Sequence, residues 1–229
     1  MSKFLWCEDS KSGYQFWRMI FGTLYPDITV ETKESNSRLR KAASKIQDDG
    51  NEYYILMDAA MDNPDVIRET KKLKEDAAGK DNIHLIKLHS FEYALLSFEL
   101  LEQWVFADVH PLKDDRQDLL HARALFIDRM SSQGDTADLA AFKAAFDQYE
   151  KKNSEQIAAS LLRDITRNTG FQTDKTGLGE CFINDCCTWK LRKNDDLCGL
   201  DSHRITADEK AKLLVDRSAL KAAFEGVGL

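Results

Sequence analysis

Hydrophobic positions in the N-terminal half of the chain follow two alternating patterns, which predict strands and helices in turn. Short apolar runs typical of buried strands lie at residues 3–7, 28–30, 52–57 and 83–88. Apolar residues at the helical period, or runs of helix-forming residues, lie at residues 13–24, 35–46 and 66–78. Such alternation implies βαβ units. The sequence therefore predicts an α/β fold with a mainly parallel sheet and helices on both faces.

After Ser90 the pattern changes, and every further predicted element is a helix. These helices lie at residues 93–106, 115–130, 139–150, 155–166 and 207–224, and a glycine-rich stretch lies at residues 170–179. Leu96, Leu100 and Trp104 on the first of them need an apolar surface to pack against. We therefore expect a domain over residues 1–105, followed by a mostly helical extension over residues 106–229 with a cysteine-rich segment at 181–198.

Composition narrows the classes of function. A formal net charge of -7 over 229 residues argues against a generic nucleic-acid coat protein, because non-specific affinity comes from Lys and Arg on phosphates. Two local clusters are interpreted either as basic patches or as solvated helix faces: Arg38, Arg40, Lys41 and Lys45, and then Lys71, Lys72 and Lys74. The sequence has no long apolar run and no signal-peptide pattern, which predicts a cytoplasmic protein without a membrane partner.

Acidic residues follow three of the predicted strands. Glu8 follows the first strand, Asp58 and then Asp62 follow the third, and Glu92 follows the fourth. Because ligands of open parallel sheets bind beyond the carboxyl ends of the strands, we expect these carboxylates to converge at one edge. Taken singly, each also suits a turn or the first turn of a helix.

Carboxylate oxygens are the ligands that Mg²⁺ prefers, so the sequence predicts a site for Mg²⁺ or Mn²⁺ on Glu8, Asp58 and Asp62, with Glu92 as a candidate ligand of a second ion. Such an ion can polarise a phosphodiester and help a water or hydroxyl attack it. Three cations could neutralise the developing phosphate charge, or could be ordinary surface residues: Lys11, Arg18 and Lys87.

The order of these residues resembles the toprim domain of topoisomerases, primases and OLD-type nucleases: a glutamate after the first strand, then an apolar strand, Tyr53 to Met57, that ends in spaced aspartates. The segment 83–96, in which Glu92 and an aromatic residue open a helix, looks like a segment of toprim nucleases of phage-defence systems. The resemblance covers residues 1–105. By it, Glu8 corresponds to the family's glutamate, Asp58 to the first aspartate of its Asp-x-Asp signature, and Glu92 to an extra acid of some members.

The sequence departs from that family at two positions. Ala60 stands where the second aspartate is expected, and Asp9 stands where a glycine commonly follows the glutamate. Asp62 or Glu92 could supply the lost ligand. Alternatively, the domain could have lost its chemistry and kept its fold.

The resemblance implies a metal-dependent phosphodiesterase that acts on RNA or DNA. It also implies an effector of prokaryotic defence that an ATPase partner holds inactive. We further expect a homodimer. Two alternatives belong to other classes. The first is a non-catalytic toprim-like protein that binds a partner through its helical half, which Ala60 favours. The second is a regulator whose acids mimic nucleic acid, which the net charge suggests.

The cysteines form a second cluster of candidate ligands. Five cysteines without a secretory signal suit reduced thiols better than a disulfide framework. Four of them could bind zinc: Cys181, Cys186, Cys187 and Cys198. Because the spacing includes no Cys-x2-Cys pair, the competing interpretation is that they pack as buried apolar thiols. A catalytic thiol with His203 as its base is a third interpretation.

Overall fold

A computed structural model describes residues 1–60, 62–107, 111–133, 138–193, 198–200 and 204–229. Its sheet has four strands, all parallel: β1 (Lys3–Cys7), β2 (Ile28–Thr32), β3 (Glu52–Asp58) and β4 (Ile83–Leu88). They are arranged in the order β2-β1-β3-β4. The predicted α/β class and the parallel sheet are therefore confirmed, and β1 and β3 lie side by side at its centre.

Three helices connect the strands: α1 (Lys11–Leu24), α2 (Asn36–Ala43) and α3 (Pro64–Ala77). Side chains alternate across the sheet because successive residues of a strand point to opposite faces. On β3, Tyr53 and Ile55 pack in the smaller core with residues of α2 and α3, whereas Tyr54 and Leu56 join the larger core with α1. The prediction of helices on both faces is confirmed.

The turn from β3 into α3 follows from local sequence. Asn63 caps the helix, since its side chain accepts a hydrogen bond from the Asp65 backbone N–H, and Pro64 occupies the first helical position. Gly79 follows the helix with a φ of +77°, a conformation that glycine adopts without strain. The chain is thus returned to β4 by ordinary capping chemistry.

The rest of the chain is helical. Its elements are α4 (Phe91–Ser97), α5 (Leu101–Val105), α6 (Pro111–Asp114), α7 (Gln117–Gln133), α8 (Ala140–Ala145), a 3-10 turn (Asp147–Tyr149), α9 (Ser154–Thr166), α10 (Glu180–Ile183), α11 (Ala207–Asp216) and α12 (Leu220–Glu225). In the larger core, α4 packs on α9, α1 on α11 and α12 on β4. The extension and the sheet therefore share one core.

Three helices that the periodicity predicts as continuous are broken. The one predicted at residues 139–150 divides into α8 and the 3-10 turn. The helix predicted at residues 93–106 divides into α4 and α5, and the one predicted at 207–224 divides into α11 and α12. Hydrogen bonds join the α4–α5 break to the α11–α12 break. The Ala219 N–H donates to Ser97 Oγ at 2.9 Å, and the Glu99 N–H donates to the Arg217 carbonyl at 2.9 Å. These tertiary hydrogen bonds replace those that continuous helices would make.

Among the helices that the described residues form, none has the length and the apolar composition needed to cross a bilayer.

Candidate functional site

Glu8 and Asp58 meet at the carboxyl edge of the sheet. Cys7 pairs with Leu56 across the two central strands, so the residues that follow are neighbours. The Asp58 backbone N–H donates to Glu8 Oε1 at 2.8 Å. The Asn36 N–H, at the first turn of α2, also hydrogen-bonds the Glu8 carboxylate. The predicted convergence of these two acids is therefore observed.

Asp58 is the most enclosed acid of the site. It is 7% exposed, and its Oδ1 atom is buried without a hydrogen-bond partner among the described residues. Burial, followed by the charges of neighbouring carboxylates, raises the pKa of Asp58 well above its usual range; those neighbours are Asp9, Glu8, Glu92 and Glu155. An unpaired buried acceptor is costly, which makes Asp58 the strongest indication that a ligand belongs here.

Glu92 lies in the first turn of α4. Ser90 caps this helix by accepting a hydrogen bond from the Tyr93 N–H at 3.1 Å. Burial raises the pKa of Glu92 to about 8, and the charges of Asp9 and Glu155 add to the shift. The same burial raises the pKa of Glu8 to about 8. Both carboxyl groups can therefore hold a proton near neutral pH.

Asp9 belongs to the site although the sequence drew attention to it only as a replaced glycine. The Trp17 indole N–H donates to Asp9 Oδ2 at 2.6 Å, and burial raises the pKa of Asp9 to about 6. Gly13 makes room for this carboxylate, because a Cβ atom there would lie 2.3 Å from Asp9 Oδ1. A glycine four residues and a tryptophan eight residues after an acid are the signal that could have identified it.

Glu155 is a second acid that the sequence did not single out. It lies in the first turn of α9, whose start is fixed by a capping box of Asn153 and Gln156. Burial, followed by the charge of Asp62, raises its pKa. The capping box marks the start of the helix in the sequence, but only the tertiary fold brings that start to the sheet edge.

Asp62 is engaged differently from the other predicted ligands. Its Oδ2 accepts from the Ser154 backbone N–H at 2.7 Å, and its Oδ1 accepts from the Ser154 hydroxyl at 2.5 Å. Asp62 thus ties the loop after β3 to the start of α9, and its role as a metal ligand stays a prediction. Ala60, where the resemblance expects an aspartate, is fully buried.

The predicted cations lie outside this arrangement of acids. Lys87 is exposed on β4 and lines a cleft beside the acids. Lys11 and Arg18 are exposed on α1, and the Arg18 guanidinium lies 5.8 Å from the centre of the Tyr14 ring.

The basic cluster on α2 is partly committed to ion pairs. Arg40 Nε lies 3.0 Å from Glu69 Oε2, and Arg40 Nη1 lies 3.2 Å from Asp76 Oδ2. Arg40 therefore joins α2 to α3. At this residue the cluster is thus neither a free basic patch nor a solvated helix face.

The chemistry of the site suits a divalent cation in part. Carboxylate oxygens are suitable hard donors, and the unpaired Asp58 Oδ1 together with the raised pKa values indicates a deficit of positive charge. In the part of the chain that the structure describes, no three His, Cys, Asp or Glu side chains are placed closely enough to hold an ion. The donors therefore fit a divalent cation in chemical kind but not in their described spacing, and side-chain rotation would have to gather them.

The four clustered cysteines surround one cavity, together with Trp189 and Arg192. None of the chain's five cysteines, all of which the structure describes, forms a disulfide. Burial raises the pKa of Cys181 to about 12. His203 lies outside the described residues, so the zinc and catalytic-thiol interpretations stay predictions.

A scan against models of known protein families, a search of curated proteins and a search of solved structures each found no significant match. The function is therefore argued from the site itself.

Proposed function

We propose that the protein is a Mg²⁺- or Mn²⁺-dependent phosphodiesterase that acts on RNA or DNA. The observation that carries the proposal is the buried, unpaired Asp58 Oδ1 among neighbouring carboxylates at the carboxyl edge of a parallel sheet. Carboxylates so placed repel one another and lose hydration, and each effect favours a divalent cation between them.

Each acid has a role in this proposal. Glu8 and Asp58 would hold the ion, because they come from adjacent strands and are already joined by a hydrogen bond. Asp9, Glu92 and Glu155 would complete its surroundings directly or through water. A bound ion supplies charge to the phosphoryl oxygens of the substrate.

Glu92 is the candidate proton acceptor. Its pKa of about 8 makes its ionised form a stronger base than an ordinary glutamate, so once ionised it can take a proton from an attacking water or hydroxyl. The Ser90 hydroxyl lies beside its carboxylate and lowers its pKa, against the larger effect of burial. Glu92→Gln should therefore lower the catalytic rate more than it lowers metal affinity.

The test is a cleavage assay on labelled single-stranded RNA, single-stranded DNA and duplex DNA, with Mg²⁺ or Mn²⁺ and with EDTA. Glu8→Gln and Asp58→Asn should each reduce cleavage by about a hundredfold or more. Asp65→Asn is the matched control, because Asp65 is an exposed acid of the next helix. Cleavage at the wild-type rate by both Glu8→Gln and Asp58→Asn would exclude this site as the catalytic one.

The non-catalytic alternative rests on Ala60. A fully buried methyl group stands where the toprim-like pattern expects a ligand, so a scaffold that binds a protein partner through its helical half would also carry this sequence. The non-catalytic alternative requires that neither Mg²⁺ nor Mn²⁺ raises the melting temperature of the protein and that no nucleic-acid substrate is cleaved. A nucleic-acid mimic is less favoured, because all the acids of the site except Asp62 are buried or half-buried.

Regulation by an ATPase partner, a homodimer and a cytoplasmic location are proposals that follow from the resemblance and the composition. Co-purification of the tagged protein with an ATPase would support the first of them.

A further inference from the structure

A cleft of about 400 Å³ lies beside the acids, between the carboxyl end of β4 and α12. Its polar lining consists of Asp62, Lys87, His89, Tyr93 and Ser154. Small side chains of α12 and its flanks form the opposite wall: Ala219, Ala222, Ala223 and Gly226. A concave space of this size, mostly apolar with a few polar groups, suits a small organic ligand.

The cleft and the acids share their boundary. Ala59, which lines the cleft, directly follows Asp58, and Ser154, which also lines it, directly precedes Glu155. The hydrogen bonds from Ser154 to Asp62 hold these two segments together. A molecule in the cleft therefore extends directly toward the acid site.

The lining indicates the chemistry of the ligand. Lys87 is exposed on β4, and the described residues give it no ion-pair partner, so its ammonium group is available to an anion. The rings of Tyr93, which is buried, and His89, which is half-buried, lie edge to face with centroids 5.5 Å apart, and both line the cleft. Asp62 adds a carboxylate that can accept from a hydroxyl or amino group while Ser154 holds it.

We infer that this cleft binds one nucleotide of the substrate strand, with its phosphate at Lys87 and its base between Tyr93 and the alanines of α12. Stacking of bases on aromatic rings tolerates any sequence, and a single lysine fixes the phosphate. The inference rests on the proposed function for the identity of the substrate. Binding itself needs neither a metal nor cleavage.

Calorimetric titration in EDTA separates the two proposals, with adenosine 5′-monophosphate, adenosine and inorganic phosphate as probes. We expect the nucleotide to bind the full-length protein and Lys87→Met to weaken it about tenfold, the loss of one charge-assisted contact. Lys71→Met is the control, because Lys71 is an exposed lysine of α3 outside the cleft. It should leave the affinity unchanged.

A second variant tests the position of the base. Ala222 is exposed and lines the cleft, so Ala222→Leu should fold and should weaken nucleotide binding by narrowing the space. Ala144→Leu places the same side chain on an exposed position of α8 and serves as its control. No binding of the nucleotide, or equal binding to wild type, Lys87→Met and Ala222→Leu, would overturn the inference.

The outcomes distinguish the failure of one proposal from that of the other. If the protein binds the nucleotide in EDTA but cleaves nothing with Mn²⁺, the nucleotide-binding cleft is supported and the phosphodiesterase proposal is excluded. If the protein cleaves nucleic acid but Lys87→Met leaves its nucleotide affinity unchanged, the phosphodiesterase proposal is supported and the assignment of the cleft is wrong. Equal binding of inorganic phosphate and nucleotide would reduce the cleft to an anion site and would also overturn the assignment of the base.

Discussion

The acid site and the cysteine cavity are both clusters of candidate metal ligands, but they are built in opposite ways. The acids come from segments far apart in the chain, and the sheet brings them together. Four cysteines lie within 18 residues of one another in the sequence and line a largely apolar cavity. The acids have an unpaired buried oxygen, whereas Cys181 lies deep among apolar groups as a protonated thiol. Proximity in the sequence is therefore a weaker sign of a site than convergence of strand ends.

The largest effect is expected where the acid site has no spare room. Gly13→Ala puts a Cβ atom 2.3 Å from the Asp9 carboxylate, so Asp9 or the helix must move, at a cost of about 1 to 3 kcal/mol. Gly22→Ala in the same helix meets nothing within 4 Å and should stabilise the protein by up to about 1 kcal/mol. Urea unfolding of both variants measures the difference. Equal stabilities would mean that Asp9 is not packed against Gly13.

The link between the acid site and the extension gives the next effect. Asp62→Ala leaves the buried Ser154 N–H without its acceptor, which should cost about 1 to 3 kcal/mol. Asp65→Ala removes an exposed acid and should cost less than about 1 kcal/mol. Thermal unfolding measures both. A similar small loss in the two variants would contradict the role of Asp62 as a tie to α9.

The pH dependence of stability tests the acids directly. The pKa values of Glu8 and Glu92 rise from the usual 4.5 to about 8 in the fold, so the folded protein keeps protons that the unfolded chain releases. This contribution is fully present below pH 4.5 and is lost as the pH rises through about 8. The melting temperature in EDTA should therefore fall between pH 6 and 9.

Mg²⁺ or Mn²⁺ should offset that fall, because the ion binds the ionised carboxylates and its affinity rises with pH. Glu8→Gln and Glu92→Gln should each flatten the profile, whereas Asp65→Asn should not. A wild-type profile in EDTA that is level across this range would show that these carboxyl groups are ionised normally.

The smallest effect belongs to the cysteines. Cys181→Ala removes a buried sulfur and should cost about 1 to 2 kcal/mol, whereas Cys187→Ala at an exposed position should change stability by less than about 0.5 kcal/mol. A zinc site would make the two changes similarly costly, because each would remove a ligand. Chemical unfolding with and without a zinc chelator distinguishes packing from coordination.

The sequence could predict the part of the site that depends on strand order. Glu8 and Asp58 follow strands whose apolar patterns are clear, and parallel strands that end at one edge bring them together. Glu155 could not be placed, because its helix reaches the sheet only through Ser154 and Asp62. Asp9 was visible as an acid, but its burial depends on the space left by Gly13.

The fold, like the site, was predictable where local sequence determines it. Local patterns placed the four strands and the cap of α3. The breaks between α4 and α5 and between α11 and α12 could not be predicted, because the hydrogen bonds that compensate for them join residues far apart in the chain. Periodicity reports which face of a helix is apolar, but it does not report where a tertiary contact stops the helix.

The paired helix breaks also bear on how the chain reaches its final form. The contact between Ser97 and Ala219 spans 122 residues of sequence. Chain entropy is therefore lost in closing this loop before the contact can stabilise the fold. The segment that carries Ala219 also supplies the α12 wall of the cleft. During synthesis the sheet strands emerge long before this wall does. The strands of the acid edge are thus synthesised early, whereas the cleft is complete only once the C-terminal helices have docked, so the proposed nucleotide binding has to await that step.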